Sequence, residues 1–198
     1  MVQADIGDPT SVRALFDGTE QALGMPDLLL ANAGTGISGM PVADMDDASF
    51  EQVLRTDLMG PLFCARAFIR LRRQAGGRGR IVFTGSVAGH LPTPESAPYG
   101  MAKAGINSLV RSLARELAPD YINVNAIAPG LIATPMTQKR LDDAEARAKS
   151  MQAIPWRRPG RPAEIAGLAV FLASDAADYV TGQTWVMDGG LTMNWGGA

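Results

Sequence analysis

The chain alternates short, nearly continuous apolar runs with longer amphipathic stretches, and this alternation constrains the fold more than any other feature. It is the pattern of strand–helix–strand units, whose strands are parallel and covered by helices on both faces. Asp27-Leu28-Leu29-Leu30-Ala31-Asn32, Arg80-Ile81-Val82-Phe83-Thr84-Gly85, residues 122–128 and Thr184-Trp185-Val186-Met187 read as such strands. The first should be buried on both faces. Asp8 before Pro9 predicts a capped helix over Pro9–Leu23. Residues 48–74 read as one long helix capped by Asp46 or Asp47 and bent near Gly60-Pro61. Further helices are expected over 99–118, 135–151 and 162–174, with Pro119 stopping the first of these. At 198 residues, with 46% hydrophobic and 19% charged side chains, one domain over residues 1–198 accounts for everything.

Other classes fall away on composition. Lys plus Arg number 18 against 20 Asp plus Glu, a net charge of −2, so bulk charge does not point to a nucleic acid or an anionic membrane. Cys64 stands alone, which excludes an internal disulfide and a cysteine-built zinc site. No metal site is expected: His90 has no ligand cluster around it and reads as an ordinary loop residue. No apolar run spans a bilayer, and the opening MVQADIGD lacks the order of a signal peptide, so a cytoplasmic protein is expected.

In such a sheet, ligands bind outside the carboxyl ends of the strands. Three strands end there in small or hydroxyl residues: Asn32-Ala33-Gly34, Thr84-Gly85-Ser86 and Ala128-Pro129-Gly130. Gly34-Thr35-Gly36-Ile37-Ser38-Gly39 is a literal GxGxxG after a strand, with Asp57 18 residues on. A dinucleotide fingerprint needs a helix beginning inside the motif, and Met40-Pro41-Val42 is loop chemistry instead. The motif is read as a glycine-rich loop.

Tyr99 and Lys103 lie four apart at a helix start, one turn from each other on one face. An ammonium beside a phenol stabilises the phenolate and lowers its pKa from about 10 towards neutrality. The phenol can then exchange a proton with a substrate oxygen. Ser86, 13 residues upstream at a strand end, is placed to donate a second hydrogen bond there. The plain alternative is a strand-end capping serine, a half-buried tyrosine and a solvated lysine.

This ordered set resembles the short-chain dehydrogenase/reductase family over nearly the whole chain. Ala31-Asn32-Ala33-Gly34, Gly85-Ser86-Val87-Ala88-Gly89, Tyr99 with Lys103, Asn125 through Thr134, Gly160 through Ala166, and Thr181 through Leu191 all stand where the family carries its motifs. The resemblance implies an α/β, Rossmann-like, doubly wound parallel sheet and hydride transfer between NAD or NADP and a secondary alcohol or carbonyl. By that likeness Tyr99 is the general acid/base, Lys103 lowers its pKa and binds the nicotinamide ribose, and Ser86 polarises the substrate oxygen. Asp5 and Ile6 would contact the adenine. Asn32, Ala33 and Gly34 would lie by the adenine ribose, and Pro129, Gly130, Ile132 and Thr134 would line the nicotinamide and phosphate.

Two departures stand out. Asp57 occupies the place of a helical asparagine that anchors a relay water near the lysine; a carboxylate adds charge beside Lys103 and should reduce activity without abolishing it. The alternative is a helix-surface acid. Residues 1–6 resemble the family's third strand, so the likeness implies a truncated chain lacking the first two strands and the glycine-rich phosphate turn, roughly 50 to 60 residues. The edge of the 28–32 strand should then be open, and residues 2–5 without a neighbour.

Residues 91–99 and 187–195 look most like members acting as glucose 1-dehydrogenases, with Glu95 able to hydrogen-bond a polyol. Reductases of 3-oxoacyl thioesters share the same motifs. Trp156-Arg157-Arg158-Pro159 reads as an anion site or, more simply, a solvated turn. The partners implied are a small alcohol or carbonyl substrate and a second copy of the chain, as dimer or tetramer. A catalytically silent oligomerisation module is the alternative from another class.

Overall fold

The computed structural model describes residues 1–36 and 39–193. Strands β1 (Leu28–Ala31), β2 (Gly79–Thr84), β3 (Ile122–Pro129) and β4 (Thr184–Met187) form one parallel sheet in the order β1-β2-β3-β4. Leu29 pairs with Ile81, Ile81 with Val124, and Ile127 with Trp185. Helices α1 (Pro9–Leu23), α2 (Asp47–Leu54), α3 (Gly60–Ala75), α4 (Ala97–Leu117), α5 (Pro135–Asp142), α6 (Ala144–Ala153) and α7 (Pro162–Ala173) complete the α/β architecture. No helix among the described residues is long and apolar enough to cross a membrane.

Because strand side chains alternate, each strand feeds two cores. Ile81, Phe83, Val124 and Ala126 point to one face, where α1, α3 and α4 supply Val12, Phe16, Phe68, Ile106, Val110 and Leu117. Val82 and Ile127 point to the other, against Leu172 of α7 and Ala177. There Phe171 meets Trp185 edge-on, with ring centres 6.3 Å apart. Cys64 is buried on α3 in the larger core, and burial pushes its thiol above its ordinary pKa.

The helix starts follow the residues that cap them. Asp8 accepts from the Thr10 and Ser11 amides, and α1 begins at Pro9 as the sequence predicts. Asp46 accepts from the Ser49 amide and caps α2. The long helix expected over 48–74 is divided by a π-helical turn at Arg55–Met59, just before Pro61, whose ring nitrogen cannot donate to the helical ladder. The helix expected over 135–151 is two helices, because Asp143 ends α5 and caps α6 by accepting from the Ala146 amide.

Two expectations are corrected at the β1 side. Residues 1–6 form no strand; with no strand beside them to pair with, they lead through an exposed Asp5 to a half-buried Ile6 where a turn begins. β1 is buried on one face only. Leu29 and Ala31 join the large core, whereas Leu28 and Leu30 are 40% and 50% exposed, because α7 covers the β2–β4 side alone. The open edge expected there is present, and an apolar cleft of about 300 Å³ lies beside it, lined by Ile6, Phe16, Leu29, Ala31, Pro61 and Cys64 among others.

Candidate active site

The carboxyl ends of β1, β2 and β3 converge. Thr84, the last residue of β2, donates its hydroxyl to Asn32 Oδ1 just beyond β1, at 3.0 Å. Its carbonyl accepts from Lys103 Nζ at 3.1 Å. Lys103 thus reaches from α4 across the sheet end, and it is 4% exposed. Ser86, also buried, follows β2 and caps a short turn over Val87–Gly89 by accepting from the Ala88 amide at 3.1 Å. Its side chain is also hydrogen-bonded to Tyr99. The capping and catalytic readings of Ser86 are therefore compatible. Gly89 lets this turn press on α4: a Cβ there would lie 2.8 Å from the Lys103 carbonyl.

Asp57 is not a surface acid. It projects from the π-helical turn and is fully buried. Oδ1 lies 3.2 Å from Lys103 Nζ, and Oδ2 accepts from both the amide and the hydroxyl of Thr35 at 2.9 Å. Gly34 fits tightly over this pair; a Cβ would come 2.7 Å from Asp57 Oδ1.

The electrostatics of Tyr99 depart from the expectation. The Lys103 ammonium sits over the Tyr99 ring, 5.4 Å from its centre, and spends its charge on Asp57. Burial raises the Tyr99 pKa above its ordinary value, the Ser86 hydrogen bond opposes the shift, and the Asp57 charge adds to it. A lysine lowers a phenol's pKa only when its charge is not already cancelled.

Two contributors, Thr35 and Asn107, were missed by sequence reasoning, and a third, Asn125, was read only as the start of the segment running to Thr134. Thr35 carried no signal beyond lying in a glycine-rich loop. Asn107 had one, since it is one turn beyond Lys103 on the helix face already shared with Tyr99. Its Nδ2 donates to Gly89 O at 3.3 Å and lies 3.2 Å from His90 Nε2, while its Oδ1 accepts from Thr184 at 3.3 Å. Asn125, buried on β3, donates to Val180 O and accepts from the Gln183 amide, tying the chain before β4 to the sheet.

The remaining predicted residues are spread along the sheet end. Asn32, Ala33 and Gly34 are exposed beside the Asp57–Lys103 pair. Pro129 ends β3, and the Gly130 amide donates to Met187 O. Ile132 is buried and bridges to Gly160, and its carbonyl accepts from Thr137; Thr134 caps α5 with the same Thr137. Asp5 lies apart on the exposed N-terminal segment, accepting from the Gly7 amide, and the Ile6 side chain packs against Gly60. No helix begins within the described part of the Gly34 to Gly39 motif, as expected; Ile37 and Ser38 lie outside the described residues, as do Asn194 and Trp195 of the 187–195 segment. At Trp156-Arg157-Arg158, read as an anion site, Arg157 donates to Met151 O and Gln152 O, and Arg158 is already engaged. Arg158 clasps Glu164 with both terminal nitrogens at 2.9 and 2.7 Å and stacks over Trp156, so its charge is matched.

The sequence and the fold both have many counterparts among known proteins. The family model described as enoyl-(acyl carrier protein) reductase matches residues 1–192. Glucose 1-dehydrogenase of Gluconobacter oxydans is 37% identical over 189 residues, covering 96% of this chain and 71% of that protein. The 3-oxoacyl-[acyl-carrier-protein] reductase MabA of Mycobacterium bovis is 36% identical over 192 residues, 97% of this chain and 76% of its own. Among solved structures, gluconate 5-dehydrogenase of Burkholderia cenocepacia in complex with NADP and tartrate superposes with a TM-score of 0.90 at 33% identity, covering 96% of this chain and 73% of that one. The chain belongs to the short-chain dehydrogenase/reductase family.

Proposed function

We propose that this chain is an NAD(P)-dependent oxidoreductase that interconverts a secondary alcohol and a carbonyl, with Ser86, Tyr99 and Lys103 as its catalytic residues. The observation that carries the reading is the hydrogen bond between Ser86 and Tyr99 at the sheet end, with Lys103 buried one turn along the same helix face. The nicotinamide end of a dinucleotide suits this donor set, since the Lys103 ammonium and Tyr99 hydroxyl match ribose hydroxyls, and the exposed Asn32, Ala33 and Gly34 would lie by the adenine ribose. Pro129, Gly130, Ile132 and Thr134 would face the same ligand from β3 and α5. When bound, the dinucleotide supplies or accepts the hydride.

In the reductive direction Ser86 donates to the carbonyl oxygen and holds it beside the phenol. Tyr99 would give that oxygen its proton when the bound dinucleotide supplies the hydride to the carbon, so the C=O π bond would be replaced by one C–H and one O–H bond while the C–O single bond remains. The Tyr99 phenolate then recovers a proton from water. The oxidative direction runs the same steps backwards, with the phenolate as base.

For substrate we propose a sugar or polyol. The likeness to glucose 1-dehydrogenase and gluconate 5-dehydrogenase supports it, and Glu95, exposed on the loop between Ser86 and Tyr99, can accept from hydroxyls. A 3-oxoacyl thioester is the second candidate, supported by the likeness to MabA. We further propose a cytoplasmic homo-oligomer. The test is turnover with NADH and NADPH on aldoses, aldonates and a 3-oxoacyl thioester. Tyr99→Phe should lower turnover by about 10²–10⁴-fold with an unchanged circular dichroism spectrum. Normal turnover in that variant ends the mechanism.

A further inference from the structure

The reaction as written does not need Asp57, yet Asp57 is the most completely enclosed charge in the site. Three neighbours enclose it: Thr35 donates twice to Oδ2, Lys103 stands against Oδ1, and Gly34 leaves no space above it. The two donors from Thr35 fix the plane of the carboxylate, and so fix the separation of the two opposite charges at 3.2 Å. Thr84 O accepts a further hydrogen bond from the ammonium. Seen from the Tyr99 oxygen, Lys103 and Asp57 together are a dipole. The attraction of a dipole for a phenolate falls off faster with distance than that of a lone cation.

The groups facing Tyr99 come from three elements. α4 contributes Lys103, the π-helical turn contributes Asp57, and the turn after β2 contributes the uncharged Ser86. Thr35, on the loop after β1, is neutral. His90, on the Ser86 side, meets Asn107 and not the phenol.

We propose that Asp57 is a positioning residue that cancels the charge of Lys103 and so sets the site for proton donation, favouring carbonyl reduction at neutral pH. This rests on the proposed role of Tyr99 and adds a direction to it. Alcohol oxidation, which needs the phenolate, becomes fast only in alkaline solution. The burial of Tyr99 and the repulsion from Asp57 act in the same sense.

The test separates this from the catalytic reading. Tyrosinate absorbance is followed against pH for the cofactor-free protein and for Tyr99→Phe; their difference isolates one phenol among three tyrosines. The midpoint is expected above the ordinary value of about 10. The same difference between Asp57→Asn and Asp57→Asn/Tyr99→Phe should titrate about one pH unit lower, since the amide keeps the shape and removes the charge. The acid limb of alcohol oxidation should move by the same amount. A wild-type midpoint at or below the ordinary value overturns the proposal, and this arm stands even if Asp57→Asn does not fold. An unmoved midpoint in folded Asp57→Asn overturns it as well. If no substrate turns over, the proposed function fails while the phenol titration still decides the role of Asp57.

Discussion

β1 and β2 are adjacent, parallel and built from similar apolar residues, yet the structure uses them differently. β2 is sealed on both faces and carries Thr84 and Ser86 at its end, whereas β1 is sealed on one face and ends in the loop over Asp57. The loop after β1 is held by polar ties, Asn32 to Thr84 and Thr35 to Asp57, in place of packing. Hydrogen-bonded ties align atoms well but contribute only about 0.5–1.5 kcal/mol each, so rigidity in this site comes from β2, β3 and α4.

That contrast can be broken by paired truncations. Phe83→Ala on β2 should cost about 3–5 kcal/mol in denaturant unfolding, because it empties a fully enclosed ring site. Leu30→Ala on β1 should cost under about 1 kcal/mol, the side chain being half in water already. Equal losses would show that the open face of β1 is covered in solution. Asp8→Ala, at the cap that starts the helix packed beneath the β1 side, should cost about 1 kcal/mol. The smallest effect belongs to the far side of the sheet. Arg158 and the Arg161 amide hold the Glu164 carboxyl at about 2, below its usual 4.5. A depressed carboxylate stabilises the fold above the unfolded value and loses that contribution as pH falls towards 2. Glu164→Gln should flatten the unfolding midpoint across that window by a small amount.

Much of this was legible because local chemistry decides it. Asp8-Pro9 starts α1, and Thr184 through Met187 form the last strand, since caps and apolar runs act over a few residues. The division at Asp143 was hidden because the polar pattern of a helix continues across it. Residues 1–6 carry strand-forming residues, but pairing needs a neighbour, which is information held elsewhere in space. In the site, the spacing of Tyr99, Lys103 and Ser86 indicated which groups meet. It did not indicate how far the phenol is buried or which charge Lys103 faces, so the expected lowering of the phenol came out with the opposite sign. The sign depended first on how deeply the phenol is buried and only then on Asp57, 46 positions from Lys103 and turned inward by a helix that is not regular.

That irregular turn has a consequence for how the chain can vary. A π-helical turn holds one residue more than an α-helical one, so α2 and α3 are out of phase by about 100° across Arg55–Met59. Deleting a single residue there would bring the two helices into phase and rotate the position of Asp57 away from Lys103. A one-residue length change, harmless in most surface loops, would in this turn reset the charge facing Tyr99 while leaving every residue of the Ser86, Tyr99 and Lys103 set in place.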